Sequence, residues 1–598
     1  METKLHFYSN IGNAAGKNMD LGRIKSKRIP LLILAIFFLI LETVSIMTTG
    51  NGVFIFAKTI ILVLLACFVF FVIYYSPQKI CQAVIDNKWT VLIAIICLGF
   101  TAKTALDCFL AHSLETAIGQ YNLIFQMIMI PTVIFGLMGI YVWKLKTWQL
   151  YLLIGTGVGL GMMMVVPIGG VPDEITHINT AYRVSNVFLG IPNSDGRVTM
   201  RMDDMILSLQ GYAQSKYANA SGFSEYLSQL FIPLKDGTLE ESATLFVPQE
   251  YCYVFAALGI ALGRILQLGT YAVLMLGRIF NFAVFMVLTT YAVSLIPIGK
   301  ISMFVLLLMP MTVQQGMSFS YDVFVNAFSL ILIAYSVKIA IDTKGCHLKK
   351  YEYAIISVSS LWLFPLKGNA YFLVSILPWL LLLYKKYPLS AKTKKITKRI
   401  LIISLILLSI IFVVWGLTGA SSYSYSTNEL TYYGTNPVEG YTISYFIAHP
   451  FEIFPVLYNT LQNSSSYYVV TFVGGMLGWL DIILPPFIII VFYLLLFFAS
   501  IKHMNSDQTI HNDIKKIFGV IGLFTVGFIL FGLLISWSPI SHACIEGVQG
   551  RYFIPVAMLF LILLFTDRLQ IDRHIDTPIK VMTLMAIFYS VEFLMKRY

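Results

Sequence analysis

Apolar runs of roughly 20 residues recur along almost the whole chain, separated by short polar turns. Each is long enough to cross a hydrocarbon core about 30 Å thick as a helix. They lie at about 31–49, 53–75, 89–110, 121–143 and 147–167, and then at about 249–268, 271–296, 300–316, 322–341, 352–365 and 369–384. The last five are at about 399–418, 483–501, 517–537, 551–567 and 579–595. The runs are continuous rather than alternating, which excludes an outer-membrane barrel and predicts helices that satisfy their own backbone hydrogen bonds. The expected fold is an all-α integral membrane protein, a polytopic helical bundle of about 14–16 transmembrane helices. Two long loops, 168–248 and 419–482, interrupt the pattern. These boundaries divide the chain into four N-terminal spans (1–146), a central membrane region (147–567) and a C-terminal helix (568–598).

Composition agrees. Of the 598 residues, 58% are hydrophobic and 12% charged, too few charges to cover a soluble surface of this size. The net charge of +11 is carried by short loops between apolar runs, so it reads as a topology signal and not as a nucleic-acid footprint. The N-terminal thirty residues and the 385–399 loop are basic and are expected to be cytoplasmic. Five spans then place the 168–248 loop outside, where it carries nine acids against five basic residues. The 419–482 loop, with no Lys or Arg, falls on the same side. Parity leaves one misfit: four runs separate Pro248 from the basic residues at Lys344, Lys349 and Lys350, where an odd number is needed. One of the four is therefore short, re-entrant or interfacial, the candidates being 249–268 and the Pro-ended run before Met311. Seven scattered cysteines share no metal or redox spacing.

Five polar motifs stand out against this apolar background. The fifth span ends in Pro167-Ile168-Gly169-Gly170-Val171-Pro172-Asp173-Glu174-Ile175-Thr176-His177, a Gly/Pro turn followed by a helix-like stretch. If that stretch is helical, Asp173 and His177 share a face. Either acid is a candidate general base or metal ligand, or simply a helix cap. Gln314, Gln315, Ser318, Ser320 and Asp322 interrupt a second apolar region, and an ionisable group at membrane depth costs about 2.5–3.5 kcal/mol on insertion scales. Lys367, in a tight turn of the external side, runs against the positive-inside rule and is a candidate anion ligand, its alternative being a snorkelling lysine. Gly478-Trp479-Leu480-Asp481 closes the second loop as either a site element or an interfacial aromatic anchor. Finally, Gly547-Val548-Gln549-Gly550-Arg551-Tyr552-Phe553-Ile554-Pro555 carries a guanidinium suited to bidentate phosphate binding, between glycines that allow close backbone approach to a ligand. The loop tyrosines from Tyr423 to Tyr468 either stack on sugars or form an interfacial belt.

Acids from early segments and cations from later ones on one face suit transfer from a polyprenyl-phosphate donor. A cation neutralises the developing phosphate charge, and a carboxylate takes the acceptor hydroxyl proton. The order of Pro172-Asp173-Glu174 with His177, Ser318 to Asp322, Gly478 to Asp481 and Gly547 to Pro555 resembles the family of bacterial polytopic membrane proteins catalogued as domain of unknown function 2142. The resemblance runs from about residue 150 to 567, and this family in turn looks like distant members of the GT-C glycosyltransferases.

The resemblance implies a GT-C-like membrane catalytic region and a lipid-phosphate donor. It also implies an acidic motif in the first external loop, matched at Asp173 and Glu174, and a second acidic position, matched at Asp322. Four N-terminal spans ahead of the one that leads into the acidic loop, where many GT-C enzymes have that one alone, depart from that pattern.

The expectation is a membrane glycosyltransferase of the bacterial cell membrane, N-terminus cytoplasmic and site external. It moves a sugar from a polyprenyl-phosphate-linked donor to a cell-surface glycan or glycolipid. Asp173, Glu174 and Asp322 are the candidate catalytic acids. His177, Lys367, Trp479, Asp481, Gln549, Arg551 and Tyr552 are the candidate substrate-binding residues. A divalent cation, Mg or Mn, is the one cofactor considered, with Glu174 and His177 as its candidate ligands. Lipid bilayer, lipid-linked donor and glycan acceptor are the expected partners, with no nucleic acid. The alternatives are a transporter or flippase for lipid-linked glycans, and a surface-polysaccharide polymerase or ligase. A nucleotide-sugar donor is disfavoured because no Gly-rich phosphate loop is present.

Overall fold

A computed structural model describes residues 88–598 except 113–115, 195, 210–218, 231, 243–246, 343–347, 387–428, 431–437, 504–509 and 572–574. The expected spans at 31–49, 53–75 and 399–418 lie outside the described residues, as do the basic N-terminus and Tyr423, Tyr425, Tyr432 and Tyr433.

The chain is an all-α polytopic membrane protein. Its first three described helices are α1 (Lys88–Leu110), α2 (Ala117–Tyr141) and α3 (Thr147–Val165). A polar layer follows, made of α4 (Glu174–Leu189), β1 (Val198–Arg201), α5 (Met202–Leu209), α6 (Ala220–Leu230) and β2 (Leu239–Ser242), with β1 and β2 antiparallel. The bundle resumes with α7 (Val254–Ile265), α8 (Thr270–Leu295), α9 (Lys300–Leu307), α10 (Pro310–Met317) and α11 (Asp322–Ile341). Next come α12 (Lys350–Leu363), α13 (Phe372–Lys386), α14 (Ile443–Ala448) and α15 (Ile453–Val473). A hairpin of β3 (Met476–Leu477) and β4 (Ile482–Ile483) leads to α16 (Pro486–Ser500), α17 (Asn512–Trp537), α18 (Ile554–Leu561) and α19 (Asp576–Arg597). Seven of these, α1, α2, α3, α8, α11, α17 and α19, are long and apolar enough to cross a membrane; α13, α16 and the Gly550–Leu564 segment are shorter apolar helices.

The directions of the helices resolve the parity misfit. Arg278, near the start of α8, bonds the carbonyls of Val166 and Pro167 at the end of α3, while Thr289, late in α8, meets Tyr151, early in α3. The two helices are therefore antiparallel. Beyond α8, Lys300 comes within electrostatic reach of Lys146, at the start of α3. The chain then returns through α9 and α10 as one broken passage, interrupted at Leu308-Met309 with Pro310 as the first residue of α10. Proline at that position has no amide to leave unpaired, and Thr312 donates to the Leu306 carbonyl at 2.8 Å across the break. α11 makes the next passage, so α8, α9–α10 and α11 supply the required three. The run at 249–268 is the one that does not cross. Its helix α7 has 12 residues, about 18 Å, and folds back along the start of α8. Gly259 permits that contact, because a Cβ there would meet the Leu276 carbonyl oxygen at 2.4 Å.

The 168–248 segment is thus a folded cap rather than an open loop. Arg201 forms a two-pronged ion pair with Asp204, whose carboxylate also accepts from Tyr182, and Arg264 from α7 bonds Ser185 and Asn186. These bonds tie the cap to the α7–α8 hairpin. α11 sits at the centre of the bundle, packed on α8, α12, α13 and α18, and its N-terminus opens under the cap.

Candidate functional site

The turn that ends α3 separates two neighbouring carboxylates. Asp173 adopts the left-handed backbone (φ 64, ψ 4), an uncommon conformation for a residue other than glycine. It occupies the N-cap position of α4 without its side chain capping the helix, while its carbonyl accepts the His177 amide, as the shared-face expectation requires. Glu174 turns inward and is fully buried. Its oxygens accept from Arg278 Nε at 2.9 Å and Nη2 at 2.5 Å, from the Gly169 amide at 2.9 Å and from the Phe319 amide at 3.3 Å. With both oxygens occupied in this way, Glu174 locks α4, α8 and the end of α10 together. Asp173 faces the other way, with its side chain 65% exposed.

The second acidic position lies beside it. Asp322, first residue of α11, accepts from Lys367 Nζ at 2.9 Å. Lys367 sits in a left-handed turn (φ 52, ψ 43) and rests over the rings of Tyr321 at 4.6 Å and Tyr552 at 4.9 Å. Burial works against its ammonium charge, but the Asp322 carboxylate overrides this and holds Lys367 well above the ordinary lysine range. With its amide oriented to suit its neighbours, Gln315 donates to Asp322 at 3.0 Å and accepts from Arg551 Nη1 at 3.3 Å. Arg551 is only 4% exposed, and its Nη2 lies 3.6 Å from Asp173. Its Nε is buried and has no partner among the described residues. The four charged groups therefore form one chain, from Lys367 through Asp322, Gln315 and Arg551 to the exposed Asp173.

His177 lies among them, within electrostatic reach of Asp173, Lys367, Asp322 and Arg551. Its Nδ1 is 2.6 Å from the Tyr253 hydroxyl and its ring meets Tyr321 edge-on. Burial lowers its pKa to about 4, so the imidazole is neutral near pH 7. Because the folded value is below the ordinary 6.5, the unfolded chain binds the extra proton between about pH 6.5 and about pH 4. Stability present above that window is lost as pH falls through it. Melting temperatures in detergent are expected to drop across this range, with a flatter profile in His177→Gln; equal acid slopes in the two proteins would remove this role for His177.

The remaining sequence candidates flank the cluster. The Trp479 indole donates to the Gly169 carbonyl at 2.7 Å, and Gln314 exchanges two hydrogen bonds with the Gly478 backbone, so the β3–β4 turn props the Asp173 turn. Asp481 faces Arg597 at 3.9 Å. Tyr552 presents its ring to Lys367 and Arg551, and its carbonyl accepts from Tyr371. Gln549, one residue before Gly550, keeps a buried Oε1 that has no partner among the described residues. The expected use of Gly550 is different in the structure: its open side accommodates α15, since a Cβ would meet the Tyr468 carbonyl oxygen at 2.1 Å and the Phe472 nitrogen at 2.2 Å. It brings protein backbone, not ligand, close to Arg551.

A divalent ion finds no fitting donor set at Glu174 and His177. Glu174 already accepts four N–H groups, the Nδ1 of His177 faces Tyr253, and no metal-holding group of three His, Cys, Asp or Glu occurs among the described residues. Two contributors, Arg278 and Tyr253, fall outside the sequence motifs, and a third, Gln315, belongs to the second motif but had no role assigned to it. Gln315 was visible as a polar break in an apolar run, and Arg278 as a lone cation within one.

No match was found among curated proteins or among solved structures. A family model described as "Predicted membrane protein (DUF2142)" matches residues 156–560, which contain every member of the cluster. Covering more than half of the chain, from the middle of α3 through the Arg551 motif, that match places the protein in the domain of unknown function 2142 family of membrane proteins.

Proposed function

We propose that this protein is a GT-C-type glycosyltransferase that moves a sugar from a polyprenyl-phosphate carrier to a hydroxyl of a glycan or glycolipid on the external face of a bacterial cell membrane. One observation carries the reading: two cations, the part-buried Lys367 and the buried Arg551, share a site with an exposed carboxylate, Asp173, at the end of a membrane helix. In the reaction the bond from sugar C1 to the phosphate oxygen breaks and a bond from C1 to the acceptor oxygen forms. The acceptor proton passes to Asp173, and the phosphate leaves with the bonding electron pair. Arg551, whose buried Nε has no partner among the described residues, and Lys367 stabilise that departing charge. Asp322 keeps Lys367 in place, and the neutral imidazole of His177 adds no charge to the site.

The external assignment rests on charge asymmetry. Lys144, Lys146 and Lys300 lie at the opposite end of the bundle, and Lys385 bonds the carbonyls of Ala340 and Asp342 there, as the positive-inside rule predicts for a cytoplasmic face.

The test is transfer itself, with purified full-length protein in lipid nanodiscs, a polyprenyl-phosphate-linked sugar and a glycolipid acceptor. Release of polyprenyl phosphate and a glycosylated acceptor are expected, with Lys367→Met slower by about 10²- to 10³-fold. Full-rate transfer in a folded Lys367→Met protein would remove its phosphate role. Movement of an intact lipid-linked glycan across the bilayer without transfer would replace the reading with a transporter.

A further inference from the structure

The two carboxylates of the cluster are held very differently. Asp322 is almost buried and takes a 2.9 Å contact from Lys367 and a 3.0 Å hydrogen bond from Gln315. Asp173 is largely exposed, and its contact with Arg551, at 3.6 Å, is longer than a hydrogen bond. On the Arg551 side the guanidinium is poorly satisfied for a buried group. Among the described residues Nε has no partner, Nη1 reaches Gln315 at 3.3 Å, and Nη2 has only the Tyr552 hydroxyl at 3.5 Å and Asp173. Without Asp173, the cluster holds two cations, the buried Arg551 and the part-buried Lys367, against one carboxylate, an excess positive charge that invites an anion from the solvent side. Asp173 supplies the balancing charge from the solvent side.

We propose that Asp173 is a displaceable counterion, whose place on Arg551 is taken by the phosphate of the incoming lipid-linked donor. This deepens the transferase reading and rests on it for the chemical step, whereas the exchange itself is a statement about binding. A sugar phosphodiester carries one negative charge, so the swap is electroneutral. It also fills the donor positions that Asp173 leaves empty, because phosphate oxygens match the guanidinium fork. The freed carboxylate is then available to accept the acceptor proton. Once protonated it no longer competes for Arg551. When it loses that proton to water it becomes anionic again, and it can displace the product polyprenyl phosphate. Donor binding, base release and product departure are thereby linked through one guanidinium.

The test measures equilibrium binding of polyprenyl phosphate, and separately of inorganic phosphate, to the full-length protein in nanodiscs. Asp173→Asn, which keeps the shape and removes the competing charge, is expected to tighten binding by about two- to fivefold, the range for an exposed ion pair. Arg551→Gln should weaken it by about tenfold or more. Glu250→Gln, which neutralises a different acid, paired with Arg183, controls for the overall field. Unchanged or weaker binding in Asp173→Asn, or equal tightening in Glu250→Gln, would overturn the counterion role whether or not the protein transfers sugar. Tightened binding in a protein that transfers no sugar would keep the exchange and remove the transferase reading. Unchanged binding in Arg551→Gln would overturn the phosphate seat. Tightening for polyprenyl phosphate alone identifies the lipid headgroup as the ligand, and tightening for both shows that the anion suffices; each supports the exchange. Melting curves guard against misfolding, with Asp173→Ser as a second neutral variant.

Discussion

Replacing Asp173 by Asn is expected to slow sugar transfer by about 10²- to 10⁴-fold, the usual contribution of a positioned general base, with little change in melting temperature. The small effect on stability follows from exposure: the Asp173 side chain does not cap α4, and its ion-pair partner among the described residues lies at 3.6 Å. Because the change should not weaken donor binding, the loss belongs in kcat rather than KM. Glu174→Gln is the informative contrast. It removes the charge of a fully buried carboxylate bonded by Arg278, so it should lower stability first and activity only as a consequence. If Asp173→Asn transfers sugar at the wild-type rate, the base lies elsewhere.

Much of the architecture was legible as hydrophobic pattern, because a lipid-facing helix must be apolar along its whole length. The runs predicted at 89–110, 271–296, 322–341 and 579–595 correspond closely to α1, α8, α11 and α19. What pattern alone could not supply is direction and partner. The non-crossing run at 249–268 is as apolar as its neighbours, and only the backbone approach at Gly259 and the antiparallel pairing of α3 and α8 show that it folds back. Within the cluster, residue types pointed to the right segments, since charge on a membrane-embedded surface is rare enough to be noticed. They were silent on which acid faces which cation, because the pairing of Asp322 with Lys367 spans distant segments. Asp173 and Glu174 looked interchangeable in sequence. Their opposite fates come from one left-handed residue, which side-chain chemistry does not announce. Arg278 stands in the sequence as a lone cation in a long apolar run, with nothing there to indicate that its partner is Glu174.

Arg278→Met is expected to be the most destabilising single change in the protein, by about 3–5 kcal/mol, the cost of leaving a buried charge without its partner. Arg278 and Glu174 are both 0% exposed, so neither water nor a mobile side chain is at hand to replace the lost contact. The guanidinium also satisfies the last carbonyls of α3 at Val166 and Pro167, which would be orphaned together with the carboxylate. The readout is the melting temperature and folded yield in detergent. The double variant Glu174→Gln with Arg278→Met should recover part of the loss, since it removes both charges. A single Arg278→Met protein that melts with the wild type would show that the pair is dispensable.

The left-handed residue at the head of α4 also turns the length of a turn into a measuring device. Gly169 is fastened by Glu174 on one side and by Trp479 on the other, so the few residues from Gly169 to Asp173 form a closed span with both ends anchored. One residue more or fewer would rotate the start of α4 by about 100° and exchange which of two adjacent acids meets Arg278 and which meets water. The identity of the exposed acid is thus set by counting along the backbone, and the spacing of this motif is as much a functional constraint as its letters.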